Sequence, residues 1–472
     1  MTTTLVWLRR DLRLSDNPAL AAGAAEGAVL PVYIHAPEEE DPWQPGAASR
    51  WWLHYSLAAL RDALAEHGLP LILRTADSSL EALHELCRET GASRVTWNRL
   101  YEPAVIARDR RVKQALRQSG ITAESYNAAL LHEPWTVSKG DGGHYQKFTP
   151  FRRALERRET PERPTDLPAL TAPASTPVSE PIEALALLPR IRWDTGFQPL
   201  WTPGEVGARR RLDAFVEQRL DDYPQAREQP AVAGTSGLSP HLHFGEIGPR
   251  QVHWAVQDTA PAGDGATAFL GEIAWREFAH HLLFHCPTMP DDPLDTRFRA
   301  FPWREDPEPA LKAWQAGTTG IPLVDAGMRE LWATGWMHNR LRMVVGSLLT
   351  KNLRIPWQRG EAWFWDTLVD ADLANNSMGW QWIQGCGADA APYFRIFSPL
   401  RQGERFDPEG HYVRQWVPEL AGLPAKHIHS PWQAPAGVLR QAGVRLGRDY
   451  PEPIVDLSAS RKQALDAYQA IR

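Results

Sequence analysis

The chain has 472 residues, more than one ordinary domain holds, so two or three domains are expected. Hydrophobic residues make up 43% and charged residues 23%, which is the balance of a soluble globular protein. A net charge of −6 argues against holding nucleic acid by bulk phosphate neutralisation, and leaves only a local positive face for that role.

The opening MTTTLVWLRRDLRLSDN meets charged residues after one short apolar run, so neither a signal peptide nor a membrane span is expected there. No apolar run nears the ~20 residues that cross a bilayer. Cys87, Cys286 and Cys386 are too scattered for a disulfide framework and too few for a four-cysteine metal site. The expected location is the cytoplasm.

In chain order, TLVWL, AVLPVYI, LPLILRT and SRVTWN read as short strands buried in a parallel sheet. Between them lie helical patterns, with Leu53, Leu57, Leu60 and Leu64 on one face of the first and Leu80, Leu83 and Leu86 on one face of the next. Gly91 follows as a C-cap, a further helix spans Ala104 to Gln118, and ITAESYN is a weaker strand. This alternation predicts an α/β domain with a doubly wound parallel sheet over residues 1–130. No GxGxxG or Walker A pattern follows the first strand, so no nucleotide is assigned to it by motif. Residues 131–200 are expected to be an interdomain linker, because 160–181 hold six prolines and can form neither helix nor central strand. Residues 201–472 read as a larger all-α domain, with EVGARRRLDAFVEQRL and AFLGEIAWREFAHHLLFHC as clear helices.

Tryptophan is the unusual component, 21 in all, with 14 of them after residue 200, and for most the plain reading is a large aromatic core. Four stretches in the helical half combine such rings with polar groups that a core excludes. GTSGLSPHLHFGEI brings Thr235, Ser236 and Ser239 with glycines suited to close approach of phosphate oxygens. GEIAWREF sets Glu272, Trp275 and Arg276 on one helical face, and GWMHNRLRM does the same for Asn339, Arg342 and Met343. DADLANNSMGWQW adds Asp370, Asp372, Asn375, Asn376, Trp380 and Trp382. A buried acid needs a partner, and Arg342 with Asp370 is the expected pair. Uncharged amides beside it suit a heterocycle with carbonyls and ring nitrogens. His281 and His285 stand four apart but lack a third ligand, so no metal is expected, and no isolated carboxylate pair supports a glycosidase.

These stretches, with LVWLRRDLRLSDNPAL at the start and DAAPYFRIFSP and GERFDPEGHYVRQWVPEL near the end, resemble the photolyase/cryptochrome flavoprotein family over nearly the whole chain. The resemblance implies an N-terminal α/β antenna domain and a helical FAD-binding domain. It places Asn376 against the flavin's reactive N5, Arg342 and Asp370 beside the ring, and Asp372 near its pyrimidine edge. Tyr223, Thr235, Ser236, Leu238, Ser239 and Arg276 match positions around the flavin and its phosphates. Trp380, Trp357 and Trp303 match a relay that carries an electron from the surface, with Trp314 close to the last of them in sequence.

The resemblance also implies a substrate. Glu272 matches the acid that hydrogen-bonds damaged pyrimidines, a role that calls for a buried carboxyl able to donate. Trp275 and Trp382 match rings that pack on the flipped lesion, Asn339 and Met343 the remaining pocket contacts, and Arg227 and Arg340 phosphate contacts. The absence of histidine at positions 339 and 343 points to cyclobutane dimers over the six-four photoproduct. The implied activity is that of a carbon–carbon lyase acting on UV-damaged DNA, in which photoexcited FADH⁻ sends an electron to the flipped dimer and recovers it after the bonds split. The alternative is a cryptochrome, a blue-light sensor using the same flavin and relay. Ala104 and Val105 stand where one folate-binding branch has an amide and an acid, so the antenna is expected to be methenyltetrahydrofolate held in another manner, or else a deazaflavin. A monomer is expected.

Overall fold

The computed structural model of the protein describes residues 2–260, 262–390 and 394–472. Ala391, Pro392 and Tyr393, part of the stretch DAAPYFRIFSP, lie outside the described residues. The first part is a five-stranded parallel sheet of β1 (Thr2–Leu8), β2 (Gly27–His35), β3 (Ile72–Thr75), β4 (Arg94–Asn98) and β5 (Thr122–Tyr126), in the order β3-β2-β1-β4-β5. Helices α1 (Pro18–Glu26), α2 (Ala47–Glu66), α3 (Ser79–Thr90) and α4 (Pro103–Gln118) make the crossovers.

β1 explains the unbroken apolar reading. Val6 and Leu8 face a core shared with α1 and α2, whereas Leu5 and Trp7 face one shared with α3 and α4. A strand covered on both sides has no polar face, and helices on both sides make the sheet doubly wound. β5 lies at the edge and is only partly buried, which is why ITAESYN is the weaker signal. The helix boundaries have local causes. Ser78 accepts from the Glu81 N–H at 3.3 Å to start α3, and Gly91 takes the left-handed conformation that ends it. α4 begins one residue earlier than expected because Pro103 fits the first helical turn.

Residues 160–181 hold no helix or strand. They lie along the sheet, where Thr171 accepts from the Val29 N–H at 2.9 Å and the Ser179 hydroxyl from the Leu73 N–H at 2.9 Å. Other parts of 131–200 are ordered into the helix Phe148–Glu156 and the short turns Pro134–Thr136 and Ile182–Leu185.

From Glu205 onward the described elements are helices, with one isolated bridge between Leu446 and Tyr450. The largest core gathers Trp314, Trp357 and Trp380 with Val344, Leu348 and Leu349. The two halves meet on α2. Its Trp51 indole donates to Asp194 at 3.1 Å, and its Trp52 indole to the fully buried Glu246 at 2.9 Å. Trp52 also packs against Phe244 and Trp201 of the helical half. Among the described residues no helix is long and apolar enough to cross a membrane.

Candidate functional site

The helical half encloses a cavity of about 540 Å³. Its walls are the turn Tyr223–Ala226, the loop 234–238, and the helices Asp264–His285, Asn339–Ser347 and Leu373–Gln384. Every residue expected at a cofactor, lesion or phosphate position lines it: Tyr223, Arg227, Thr235, Ser236, Leu238, Ser239, Glu272, Trp275, Arg276, Asn339, Arg340, Arg342, Met343, Asp370, Asp372, Asn376, Trp380 and Trp382. Trp303 and Trp357 lie outside the lining.

The stretch 370–382 supplies one wall. Asp372 caps the helix Leu373–Gln384, its Oδ1 accepting from the Asn375 N–H at 2.9 Å. Its Oδ2 lies 3.6 Å from His243 Nδ1 and 3.5 Å from His280 Nε2. Burial opposes the charge, but the two imidazoles hold the Asp372 carboxyl well below its ordinary range. His280 Nδ1 lies 3.0 Å from the Arg276 carbonyl, which can only accept, so Nδ1 carries a proton. Arg342 donates through Nη2 to both Asp370 oxygens, at 3.0 and 2.8 Å, and through Nε to the Met337 carbonyl at 2.9 Å. The amide nitrogen of Asn376 donates to the Glu361 carbonyl at 3.1 Å, which leaves its side-chain oxygen as the acceptor on the cavity side. Glu361 is buried behind it, with one oxygen bonded to the Ser377 hydroxyl and the other without a partner among the described residues. Burial pushes the Glu361 carboxyl well up, so it is held neutral.

Opposite, the loop 234–238 turns through Gly237, whose φ of +63° is left-handed and where a Cβ would meet Arg211 Nη1 at 2.5 Å. Arg276 is tied to the chain before it, donating to the Ala129 carbonyl at 2.6 Å. The helix Asn339–Ser347 starts at His338, whose Nδ1 accepts from the Arg340 N–H at 3.1 Å. Burial pushes that imidazole down to about 4, so it is neutral.

At the mouth the structure differs from one expectation. Glu272 is not a desolvated acid: its side chain is 35% exposed and pairs with Arg227 Nη1 at 2.5 Å. Trp275 stacks on Phe148, with ring centroids 3.7 Å apart, so the helix Phe148–Glu156 braces the cavity wall. Arg395 lies 5.6 Å over the Trp382 ring, and Arg340 and Arg405 lie over Phe406. Four guanidiniums, Arg227, Arg340, Arg395 and Arg405, thus gather near the mouth against the carboxylates of Glu228 and Glu272.

Trp380 lines the cavity and reaches into the largest core, where Trp357 is buried and Trp303 is half-buried at the edge. Trp380 contacts Phe364 at 5.0 Å and Trp314 at 6.2 Å between centroids. Gly360 permits this packing, since a Cβ there would lie 2.1 Å from Trp380 Cη2. The sequence reading missed Glu228, His243, His280, Glu361, Phe148 and Arg405, which enter the site only through contacts between distant segments. Among the described residues no group of three or more histidine, cysteine or acidic side chains is arranged to hold a metal ion.

A second, smaller cavity of about 210 Å³ lies past the C-terminal ends of β1 and β4, where the strand order reverses. Ala104 and Val105 line it with Glu40, Trp43, Trp365 and the ion pair of Arg10 and Glu102, 2.8 Å apart.

A doubly wound sheet joined to a helical body, with a cavity of about 540 Å³ lined by both polar and aromatic groups, is the architecture of a protein that holds a sizeable organic ligand. Residues 4–173 match the model of the DNA photolyase family, and residues 269–470 that of the FAD binding domain of DNA photolyase. The chain is 49% identical to the deoxyribodipyrimidine photo-lyase of Agrobacterium fabrum, over 99% of this chain and 98% of that one. It is 42% identical to cryptochrome-2 of Arabidopsis thaliana, over 99% of this chain and 79% of that protein. The crystal structure of a bacterial class III photolyase from Agrobacterium tumefaciens superposes with a TM-score of 0.96 at 48% identity, covering 100% of this chain and 98% of that one. The chain belongs to the photolyase/cryptochrome family. Its C-terminal half is an FAD-binding domain, and the donor set fits FAD: a guanidinium–carboxylate pair, an amide acceptor, a charged acid and a hydroxyl-bearing loop share one cavity.

Proposed function

We propose that the protein is a deoxyribodipyrimidine photo-lyase that repairs cyclobutane pyrimidine dimers in UV-damaged DNA by light. The observation that carries this reading is that one cavity combines the flavin set with the lesion set of Glu272, Trp275, Asn339, Met343 and Trp382. Bound and reduced, FAD supplies the electron that light transfers to the lesion. The chain's own groups divide the remaining work. Arg342 with Asp370 and the His280–Asp372 pair fix charge around the cofactor, Asn376 presents its side-chain oxygen as the acceptor for an N–H at the reactive edge, and Thr235, Ser236, Ser239 and Arg276 are assigned to the phosphates. Trp275 and Trp382 offer apolar faces to an extruded pyrimidine dimer, while Arg227 and Arg340 face the backbone. Trp380, Trp357 and Trp303 are assigned to refilling an oxidised cofactor with electrons from the surface.

A distorted lesion lowers the unstacking cost of a few kcal/mol, so an acidic protein with arginines at its cavity mouth can select it. The test is blue light on reduced protein with an oligonucleotide carrying one thymine dimer. Restored thymines are expected. Bound flavin with no repair would favour a cryptochrome-type sensor, the reading that the likeness to the plant protein keeps in view.

The second cavity is assigned to the antenna. Carboxylates of Glu40 and Glu102 beside the Trp43 and Trp365 rings suit a pterin, whose amino-pyrimidine edge donates, better than the acceptor-rich edge of a deazaflavin. Methenyltetrahydrofolate is the proposed occupant. Folate released on denaturing the isolated protein would support it, and a deazaflavin in its place would overturn it.

A further inference from the structure

The cavity mouth holds two linked guanidinium–carboxylate pairs. Arg227 Nη1 lies 2.5 Å from Glu272 Oε1, Arg340 pairs with Glu228, and Arg227 Nε also comes within 4.0 Å of Glu228. All four residues line the cavity, and their side chains are 17–35% exposed, so the pairs sit at its rim. Further arginines lie around them. Arg340 and Arg405 share the Phe406 ring, and burial, with Arg405 and Arg227 nearby, pushes the Arg340 guanidinium below its ordinary range. The other titratable groups near Glu272 are Tyr223 from the neighbouring turn, Arg276 on its own helix, which lies 4.0 Å from Glu277, and Arg152, which reaches Gly271 from the helix Phe148–Glu156 and pairs with Glu156 at 2.8 Å.

A guanidinium offers one planar fork, and carboxylate and phosphate compete for it. Resting on the reading that this cavity takes dimer-containing DNA, we propose that Glu228 is a specificity-determining residue: it holds Arg340 until a lesion engages Glu272, whereupon Arg227 passes to Glu228 and Arg340 is released to a backbone phosphate. The order follows from the distances. A flipped pyrimidine pair brings N–H donors to Glu272, which loosens its hold on Arg227. Arg227 then needs only a small side-chain movement to close the 4.0 Å gap to Glu228. Undamaged duplex offers Glu272 nothing, so both arginines stay neutralised and the acidic chain has fewer free cations for the backbone. The lesion itself thus supplies one extra phosphate contact.

Binding in the dark to duplexes with and without one thymine dimer tests this, by fluorescence anisotropy across a range of salt. Wild-type protein with flavin bound should show a salt slope steeper by about one for the dimer duplex, the signature of one more phosphate neutralised. Glu228→Gln should bind undamaged duplex about five-fold more tightly while changing the dimer duplex less, so that discrimination falls. Glu217→Gln, the same charge change on an exposed helix face, should leave both affinities unaltered. Equal salt slopes, or an unchanged Glu228→Gln, overturn the relay, as does Glu217→Gln matching Glu228→Gln, which would mark net charge as the cause. A flavin-loaded wild type with no preference for the dimer duplex overturns instead the function on which the relay rests.

Discussion

Replacing Glu272 by alanine removes the carboxylate assigned to the lesion and leaves Arg342, Asp370 and Asn376 in place. Flavin content should be retained, while repair falls about ten- to hundred-fold, the worth of one hydrogen bond to a charged group. An unchanged yield would remove the role. Trp380→Phe should block photoreduction of oxidised flavin yet spare repair by enzyme reduced beforehand, and equal photoreduction would refute the relay. Single residues of this kind were legible because acids, amides and rings crowd into a few positions, as in DADLANNSMGWQW. Their partners were not. His243 and His280 sit in runs such as HLHF and AHHLLFH that read as helix packing, and only the fold brings both to Asp372. Glu228 beside Arg227 reads as ordinary surface charge until Arg340, 112 positions on, is seen to meet it.

Among the elements, the helix Trp357–Thr367 depends on a missing side chain. Gly360→Ala would put a methyl 2.1 Å from Trp380 Cη2 and 2.6 Å from Leu349 Cδ2. The helix gains about 1 kcal/mol in propensity, but overpacking costs about 1–3 kcal/mol and more where backbone has to move. Net destabilisation of up to about 2 kcal/mol is expected in denaturant unfolding, with slower photoreduction because the ring is displaced; a more stable variant would show that the contact relaxes freely. Strands and crossover helices were read from apolar runs and periodicity, and one helix end from Gly91, whereas Ser78 and Pro103 show as starts only in the structure. The helix Phe148–Glu156 escaped because it follows a glycine-rich run inside a stretch read as linker, and its reason to exist is tertiary: Phe148 on Trp275 and Phe151 on Phe278.

For the whole molecule, buried neutral histidines set the response to acid. Burial pushes His132 and His338 down to about 4 and His281 to about 3. The unfolded chain takes up these protons near the ordinary histidine range of about 6.5, so folding stability is full above that pH and falls as pH drops towards 4. Glu330 acts in the opposite sense: burial raises it to about 7, so its contribution declines as pH rises from about 4.5 to 7. The three histidine shifts predict a loss of stability on the acid side, opposed by Glu330 and the raised Glu361 and measured as a falling denaturation midpoint between pH 6.5 and 4.5; a midpoint that rises there would contradict it. The division into a sheet half and a helical half was legible from alternation and its end. How firmly they are joined was not, because α2 carries an ordinary leucine stripe and its two tryptophans reveal their indole bonds to Asp194 and Glu246 only in three dimensions. α2 shares one core with Trp201, Phe244 and Val369 of the helical half, so the two halves are joined through common buried surface. A calorimetric scan should accordingly give a single endotherm, and small molecules that tighten the flavin cavity should protect amides of the distant sheet from exchange as well.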